Sequence, residues 1–212
     1  METKSELEKL LPEVEDFRKS IDEAWQSTEV QEVLSEEEKH IVISFVGSIG
    51  AGKDSGIKSV LGIDTGGISP IPGSTKDVLL YRHPQYPFMI VANTPGIGDV
   101  DQSVSGKAKE FFNATDIFLH VINADPGVGL EQKQLYDEIR GNGKPSLVCL
   151  NKIDKVRVDE RAIIIEDSIE KLGCAESDLI ACSFDPQMDD SMTENVNVIQ
   201  DWWRGRLGSQ ST

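Results

Sequence analysis

The chain has 212 residues, 38% of them hydrophobic and 27% charged, enough for one domain with a sizeable core and an appendage. Its formal net charge of −16 repels nucleic-acid phosphates and anionic bilayer faces, and no basic run along the sequence offsets it. A mononucleotide is not excluded, because a few backbone N–H groups and one lysine hold a phosphate against an unfavourable overall field. No apolar run approaches the roughly 18–20 residues that span a bilayer. Glu2 and the end Gly208-Ser209-Gln210-Ser211-Thr212 carry no lipidation signal. Cys149, Cys174 and Cys182 show no metal-ligand spacing, and an odd count without a signal peptide suggests a reducing, cytoplasmic setting.

Residues 1–40 form an acidic extension with thirteen acidic and five basic residues, so half of the net charge lies there. Leu7, Leu10, Leu11, Val14, Phe17, Ile21 and Trp25 recur at steps of three or four, which predicts a helix with one apolar stripe. Ser5 and Glu8 fit a capping box, and Pro12 implies a later start or a kink. Packing onto the following domain is the simplest use of the stripe. A protein partner or a homodimer contact is the alternative.

From Ile41 strands and helices alternate. Ile41–Val46 reads as a buried strand, Gly52–Leu61 as a helix, and residues 62–76 as a Gly/Pro/Ser/Thr loop. Asp77–Arg82 and Phe88–Val91 read as an antiparallel hairpin. Three further strands are expected at Ile117–Ile122, Ser146–Leu150 and Leu179–Cys182, separated by helices Leu130–Arg140 and Glu160–Leu172. A last helix, Asn195–Leu207, places Val198, Ile199 and Trp202 on one face. Trp202 and Trp203 point about 100° apart on such a helix, so one of them is left exposed or covered by the extension. Residues 208–212 read as a disordered tail. The pattern predicts an α/β domain over residues 41–207, a doubly wound, mostly parallel six-stranded sheet.

Two motifs carry chemistry. Gly47-Ser48-Ile49-Gly50-Ala51-Gly52-Lys53 matches GxxxxGK between a strand and a helix, where glycines let the backbone wrap a phosphate and Lys53 neutralises its oxygens. Asn151-Lys152-Ile153-Asp154 follows a strand at its ligand-binding end. Asp154 is placed to accept the N1–H and N2 amino hydrogens of guanine, a donor pair that adenine lacks. Asn151 ties this loop to the phosphate loop, and the Lys152 stem covers the ring face. An ATPase or small-molecule kinase is disfavoured. The histidines His40, His83 and His120 show neither ligand nor triad spacing, and His120 reads as a packed core residue.

With these motifs the sequence resembles the Era/TrmE-like branch of the translation-factor GTPases over roughly residues 41–207. A secondary likeness to the immunity-related GTPases lies in Tyr81-Arg82-His83-Pro84 and Thr94-Pro95-Gly96-Ile97-Gly98. The resemblance implies GTP or GDP as ligand and Mg²⁺ as a possible cofactor. It makes Gly73-Ser74-Thr75-Lys76-Asp77 the first switch, with Thr75 closing over metal and γ-phosphate. Asn93-Thr94-Pro95-Gly96 becomes the second, with Gly96 offering its N–H, and Ala181-Cys182-Ser183 the last base-contacting loop. Three residues depart from the pattern. Asp54 stands where a Ser or Thr hydroxyl ligates the metal, with Ser55 turned about 100° away. Asn93 stands where an aspartate orients the metal shell. Ile97 stands at the position of a water-orienting glutamine, and Gly50 replaces the asparagine of monovalent-cation-activated relatives. The expectation is therefore a switch-type protein with weak or partner-dependent hydrolysis, or a non-hydrolysing nucleotide-bound scaffold. Neither nucleic-acid contact nor a membrane span is expected.

Overall fold

The computed structural model describes residues 40–67, 79–94, 111–184 and 193–207. The elements, in chain order, are β1 (Ile41–Val46), α1 (Lys53–Leu61), β2 (Leu79–Arg82), β3 (Met89–Asn93), β4 (Ile117–Asn123), α2 (Leu130–Gly141), β5 (Ser146–Asn151), α3 (Val158–Leu172), β6 (Leu179–Ala181) and α4 (Thr193–Leu207). The strands form one six-stranded sheet in the order β2-β3-β1-β4-β5-β6. Only β2 runs antiparallel, paired with β3 from Leu79↔Asn93 to Arg82↔Ile90. This is the doubly wound α/β architecture expected from the alternation of runs. The acidic extension up to Lys39, Thr75, Gly96, Ile97 and the tail lie outside the described residues.

Side-chain alternation along each strand divides the core between the two faces of the sheet. Ile43, Phe45, Val91, Leu119 and Cys149 face α1 and α4, whose Ile57, Val60, Ile199 and Trp203 complete that cluster. On the other face, Val148 and Leu150 meet Tyr136 and Leu172 of α2 and α3. Phe118 meets Leu135, Ile139 and Phe112 there. Central strands covered on both sides read as unbroken apolar runs, which is why β1, β4 and β5 were prominent in the sequence. Strand β3 runs on to Asn93 because its backbone pairs in register with β1, Phe45 opposite Asn93. Backbone pairing is indifferent to the polar side chain that ends the apolar run.

The face of α4 differs from the expectation. Val196, Ile199 and Trp203 are buried and Val198 is 51% exposed, while Trp202 is half-buried at the edge of the core. The competing sets 196/199/203 and 198/199/202 both have helical spacing, so tertiary packing decides between them. His120 is a core residue, as expected: it is 1% exposed, and neither ring nitrogen is hydrogen-bonded among the described residues. Burial, with the nearby Lys53 charge as the second cause, pushes its pKa down to about 3 and keeps the ring neutral. His83 pins the hairpin to α1. Its Nε2 bonds the Leu61 carbonyl at 2.9 Å, and its Nδ1 accepts the Gln85 and Tyr86 N–H groups at 3.1 and 3.2 Å.

The packing of α4 predicts a large asymmetry between neighbouring positions. Trp203→Ala should lower unfolding free energy by about 3–5 kcal/mol, and Val198→Ala by less than about 0.5 kcal/mol. Urea unfolding followed by circular dichroism measures both.

Candidate nucleotide site

Strand β1 sits between β3 and β4, so the chain leaves it in opposite directions on its two sides, and the crevice beyond its C-terminal end is the ligand position of such sheets. The phosphate loop occupies that position. Gly47 follows β1 with φ 148°, and a Cβ there would lie 2.1 Å from the Val121 carbonyl oxygen of β4. Gly52, at φ 99°, precedes α1, and its Cβ would meet Asn151 Nδ2 at 2.4 Å. Both the backbone conformation and the space therefore require glycine at these two turns. Between them, Ile49 is 78% exposed at the loop's tip.

Lys53 opens α1 and is 8% exposed. Its Nζ donates to the carbonyl oxygens of Gly47 and Ser48 at 2.9 and 3.0 Å, which holds the ammonium beneath its own loop. Burial lowers its pKa to about 8, against a smaller raising effect from Asp54. At about 1.4 kcal/mol per tenfold change, the cation is destabilised by about 3 kcal/mol in the protein alone. An anion beside it reverses that penalty, so the site is poised for phosphate.

The Asn151–Asp154 loop is fastened to the glycine loop by side chains. Asn151, 2% exposed, donates from Nδ2 to the Ala51 carbonyl at 2.7 Å and accepts the Phe184 N–H on Oδ1 at 3.0 Å. Lys152 adopts a left-handed φ of 65° and reaches the Gly50 carbonyl with Nζ at 2.6 Å, laying its stem across the gap between the loops. Ser183 Oγ donates to Asp154 Oδ1 at 2.6 Å, and the Ile153 N–H bonds the Cys182 carbonyl at 3.2 Å. The segments ending at Ala51, Asp154 and Ser183 thus form one connected rim.

At the other end of the phosphate loop, the two departures from the family pattern touch each other. Asn93 Nδ2 donates to Asp54 Oδ1 at 3.0 Å, and Thr65 Oγ1 donates to the same oxygen at 3.0 Å. Asn93 is 7% exposed, and its Oδ1 has no partner among the described residues. Thr94 is fixed beside it through Oγ1 to the Phe45 carbonyl at 3.0 Å. Ser55 does not join this contact; it lines a groove of about 460 Å³ along α1 with Asp54, Asp64 and Thr65. Nothing in the sequence pattern points to Thr65 or Phe184 as site residues, and Tyr81 figures there only in a family likeness; it is buried, and its pKa is raised by burial and then by Asp54. Thr65 and Tyr81 carry no spacing signal. Phe184 directly follows the recognised Ala181-Cys182-Ser183 loop, so its backbone role was within reach.

A glycine loop on a buried lysine, joined to an Asn-Lys-x-Asp loop at a sheet's switch point, defines a P-loop guanine-nucleotide-binding domain. Residues 42–152 match the family described as 50S ribosome-binding GTPase, and the chain belongs to it. Similar proteins include GTPase Der of Persephonella marina, 30% identical over 136 residues, 59% of this chain and 30% of that protein. The tRNA modification GTPase MnmE of Clostridioides difficile is 29% identical over 162 residues, 73% and 34% of the respective chains. GTPase Era of Aquifex aeolicus is 30% identical over 138 residues, 61% and 46%. The chain spans 30% to 46% of the length of these three relatives. An Aquifex aeolicus Era variant bound to GDP·AlF4⁻ shares the fold with a TM-score of 0.55 at 22% identity, over 77% of this chain and 57% of that one. A probable GTP-binding protein engB does so with a TM-score of 0.53 at 15% identity, over 76% and 98%.

The burial of Lys53 predicts a pH dependence. The protonated amine binds phosphate, and a bound phosphate raises its pKa, so affinity falls as pH rises through about 8. GDP affinity should weaken roughly tenfold between pH 7 and pH 9, as read by isothermal titration calorimetry. Lys53→Ala should bind weakly and lose this dependence.

Proposed function

We propose that the chain is a GTP- and GDP-binding switch-type protein with weak or partner-dependent GTP hydrolysis. The contact between Asp54 and Asn93 carries this reading. A hydroxyl at 54 and a carboxylate at 93 are the family pattern, and here a carboxylate at 54 and an amide at 93 stand in hydrogen-bonded contact. The exchange moves the negative charge from the end of β3 to the start of α1, nearer the phosphates. The number of carboxylates does not change.

The residues fit a hard cation. Asp54 offers carboxylate oxygen, the buried Asn93 Oδ1 is an amide oxygen without a partner, and Thr65 adds a hydroxyl beside them. Mg²⁺ favours such oxygen donors and keeps several waters. Asp54 and Asn93, with Thr75 from the first switch, are the residues we assign to hold it, and when bound it neutralises charge on the phosphate oxygens. Lys53 and the loop from Gly47 to Gly52 bind and orient the phosphates, Gly96 offers its N–H to the γ-phosphate, and Asn151, Lys152, Asp154 and Ser183 select and position guanine. Ile97 has no group to orient an attacking water, so positioning must come from elsewhere. A protein partner or a second copy at the switch regions is the source we favour. The net charge of −16 argues against direct RNA contact, and the odd number of cysteines fits a cytoplasmic setting. Among the described residues no helix is long and apolar enough to cross a membrane.

The alternative is a nucleotide-bound scaffold without turnover. It is favoured by the hydrogen bond that Asn93 already makes to Asp54, which ties the second switch to α1 without a metal. GDP and GTP affinities measured in Mg²⁺ and in EDTA test the relocated carboxylate: tighter binding in Mg²⁺ is expected, and equal affinities contradict it. Single-turnover GTP hydrolysis then separates switch from scaffold. The wild type should turn over slowly, and Asp54→Ser with Asn93→Asp should change the rate by about tenfold or less. Activity present only in the double variant establishes the scaffold.

A further inference from the structure

The loop that leaves α1 returns to the helix's own first turn. Gly62 ends α1 in a left-handed conformation, φ 71°, with its N–H on the Lys58 carbonyl at 2.9 Å. Ile63, fully buried in the core cluster, anchors the chain after that reversal. Asp64 then closes a tight turn. Its carbonyl accepts the Gly67 N–H at 2.9 Å, and its Oδ1 accepts the Gly66 N–H at 3.2 Å. Thr65 sits half-buried inside this turn, and its hydroxyl reaches Asp54, eleven residues back. A core residue before Thr65 and two hydrogen bonds around it therefore fix where that hydroxyl stands.

Two donors meet at one oxygen. Thr65 Oγ1 and Asn93 Nδ2 each donate to Asp54 Oδ1 at 3.0 Å, and no described residue donates to Oδ2. A carboxylate on an exposed helical turn otherwise rotates about its side-chain bonds, and fixing it costs conformational entropy. Here that cost falls on folding, because the donors come from a core-anchored loop and from the buried end of β3. With Oδ1 engaged twice, Oδ2 is the oxygen left for a ligand. Asn93 gives an independent sign of one. Its side chain is 7% exposed, yet the Oδ1 of the same amide has no partner among the described residues. A buried acceptor in that position calls for a cation or a donor.

We propose that Thr65 is a positioning residue for the cation: with Asn93 it holds Asp54 by Oδ1 and presents Oδ2 as the metal-binding oxygen. Thr65 acts through Asp54 and is not itself a ligand. Hydrogen-bond partners behind a ligating carboxylate set metal affinity in this way, and losing one weakens it by about 10–100-fold. The inference rests on the reading of Asp54 as the relocated metal carboxylate. It adds that the loop after α1, and not the phosphate loop alone, governs how tightly the cation is held.

The ratio of GDP affinity in Mg²⁺ to that in EDTA, measured by isothermal titration calorimetry on the full chain, tests this role. A general weakening of the fold lowers both affinities and cancels in the ratio. Thr65→Val keeps the side-chain shape and removes the donor, and should lower the wild-type ratio about tenfold. Thr65→Ser returns the donor and should restore most of the ratio. Mn²⁺ titrated into the GDP-bound protein, followed by electron paramagnetic resonance, should bind tightest to the wild type and weakest to Thr65→Val. A Thr65→Val ratio equal to the wild type, with the ratio lost in Asp54→Ala, overturns the role of Thr65 and leaves Asp54 as the ligand. Equal losses in Thr65→Val and Thr65→Ser also overturn it, because the position then serves packing alone. A wild-type ratio of one removes the relocated carboxylate, and the role of Thr65 with it.

Discussion

Asn151 and the Ala51 carbonyl, 100 residues apart, meet in a buried hydrogen bond of 2.7 Å, and the arrangement of the site depends on it. One side chain sets the spacing between the glycine loop and the Asn151–Asp154 loop. Its other end accepts the Phe184 N–H and fastens the third loop to the same point. The bond is possible because Gly52 has no side chain; a Cβ there would press on the Asn151 amide. Loops satisfied by water alone would not hold this spacing, because each would keep its own conformational freedom. The sheet supplies the frame: β1 and β5 bring the two loops to the same edge, with β4 between them.

The same frame makes the Asp54–Asn93 contact informative. Neither residue suits the usual role at its position, yet they are adjacent, hydrogen-bonded and opposite in the sense of their departure. Two unrelated losses of function would have no reason to leave a hydrogen-bonded pair at that spot. Asn93 Oδ1, which has no partner among the described residues, also has a ready use, since a buried acceptor without a hydrogen bond is costly unless a ligand or water meets it. Beside Asp54 in the chain, Lys53 is buried with its pKa pulled down, which an anion beside it would reverse.

Much of the fold was legible because its strongest signals are local. Buried parallel strands are apolar runs, and β1, β4 and β5 stood out as such. GxxxxGK and Asn-Lys-x-Asp needed only their order and flanking strands. Features set by tertiary contact were not legible. The face of α4 is chosen by packing among several sets with helical spacing, so Val198 and Trp202 were assigned inward where Val196 and Trp203 are buried. The two substitutions were visible as opposite changes in charge, but their contact, and the part of Thr65 in it, depend on the approach of α1 to β3.

We propose that the connected rim of Ala51, Asn151, Asp154 and Ser183 selects guanine. Competition against a fluorescent GDP at equilibrium tests it most directly. GDP and GTP should displace the probe at least about a hundredfold better than ADP and ATP, because adenine leaves the Asp154 charge without its two donors. Displacement by ATP at the same concentration as GTP would contradict guanine selection at this rim.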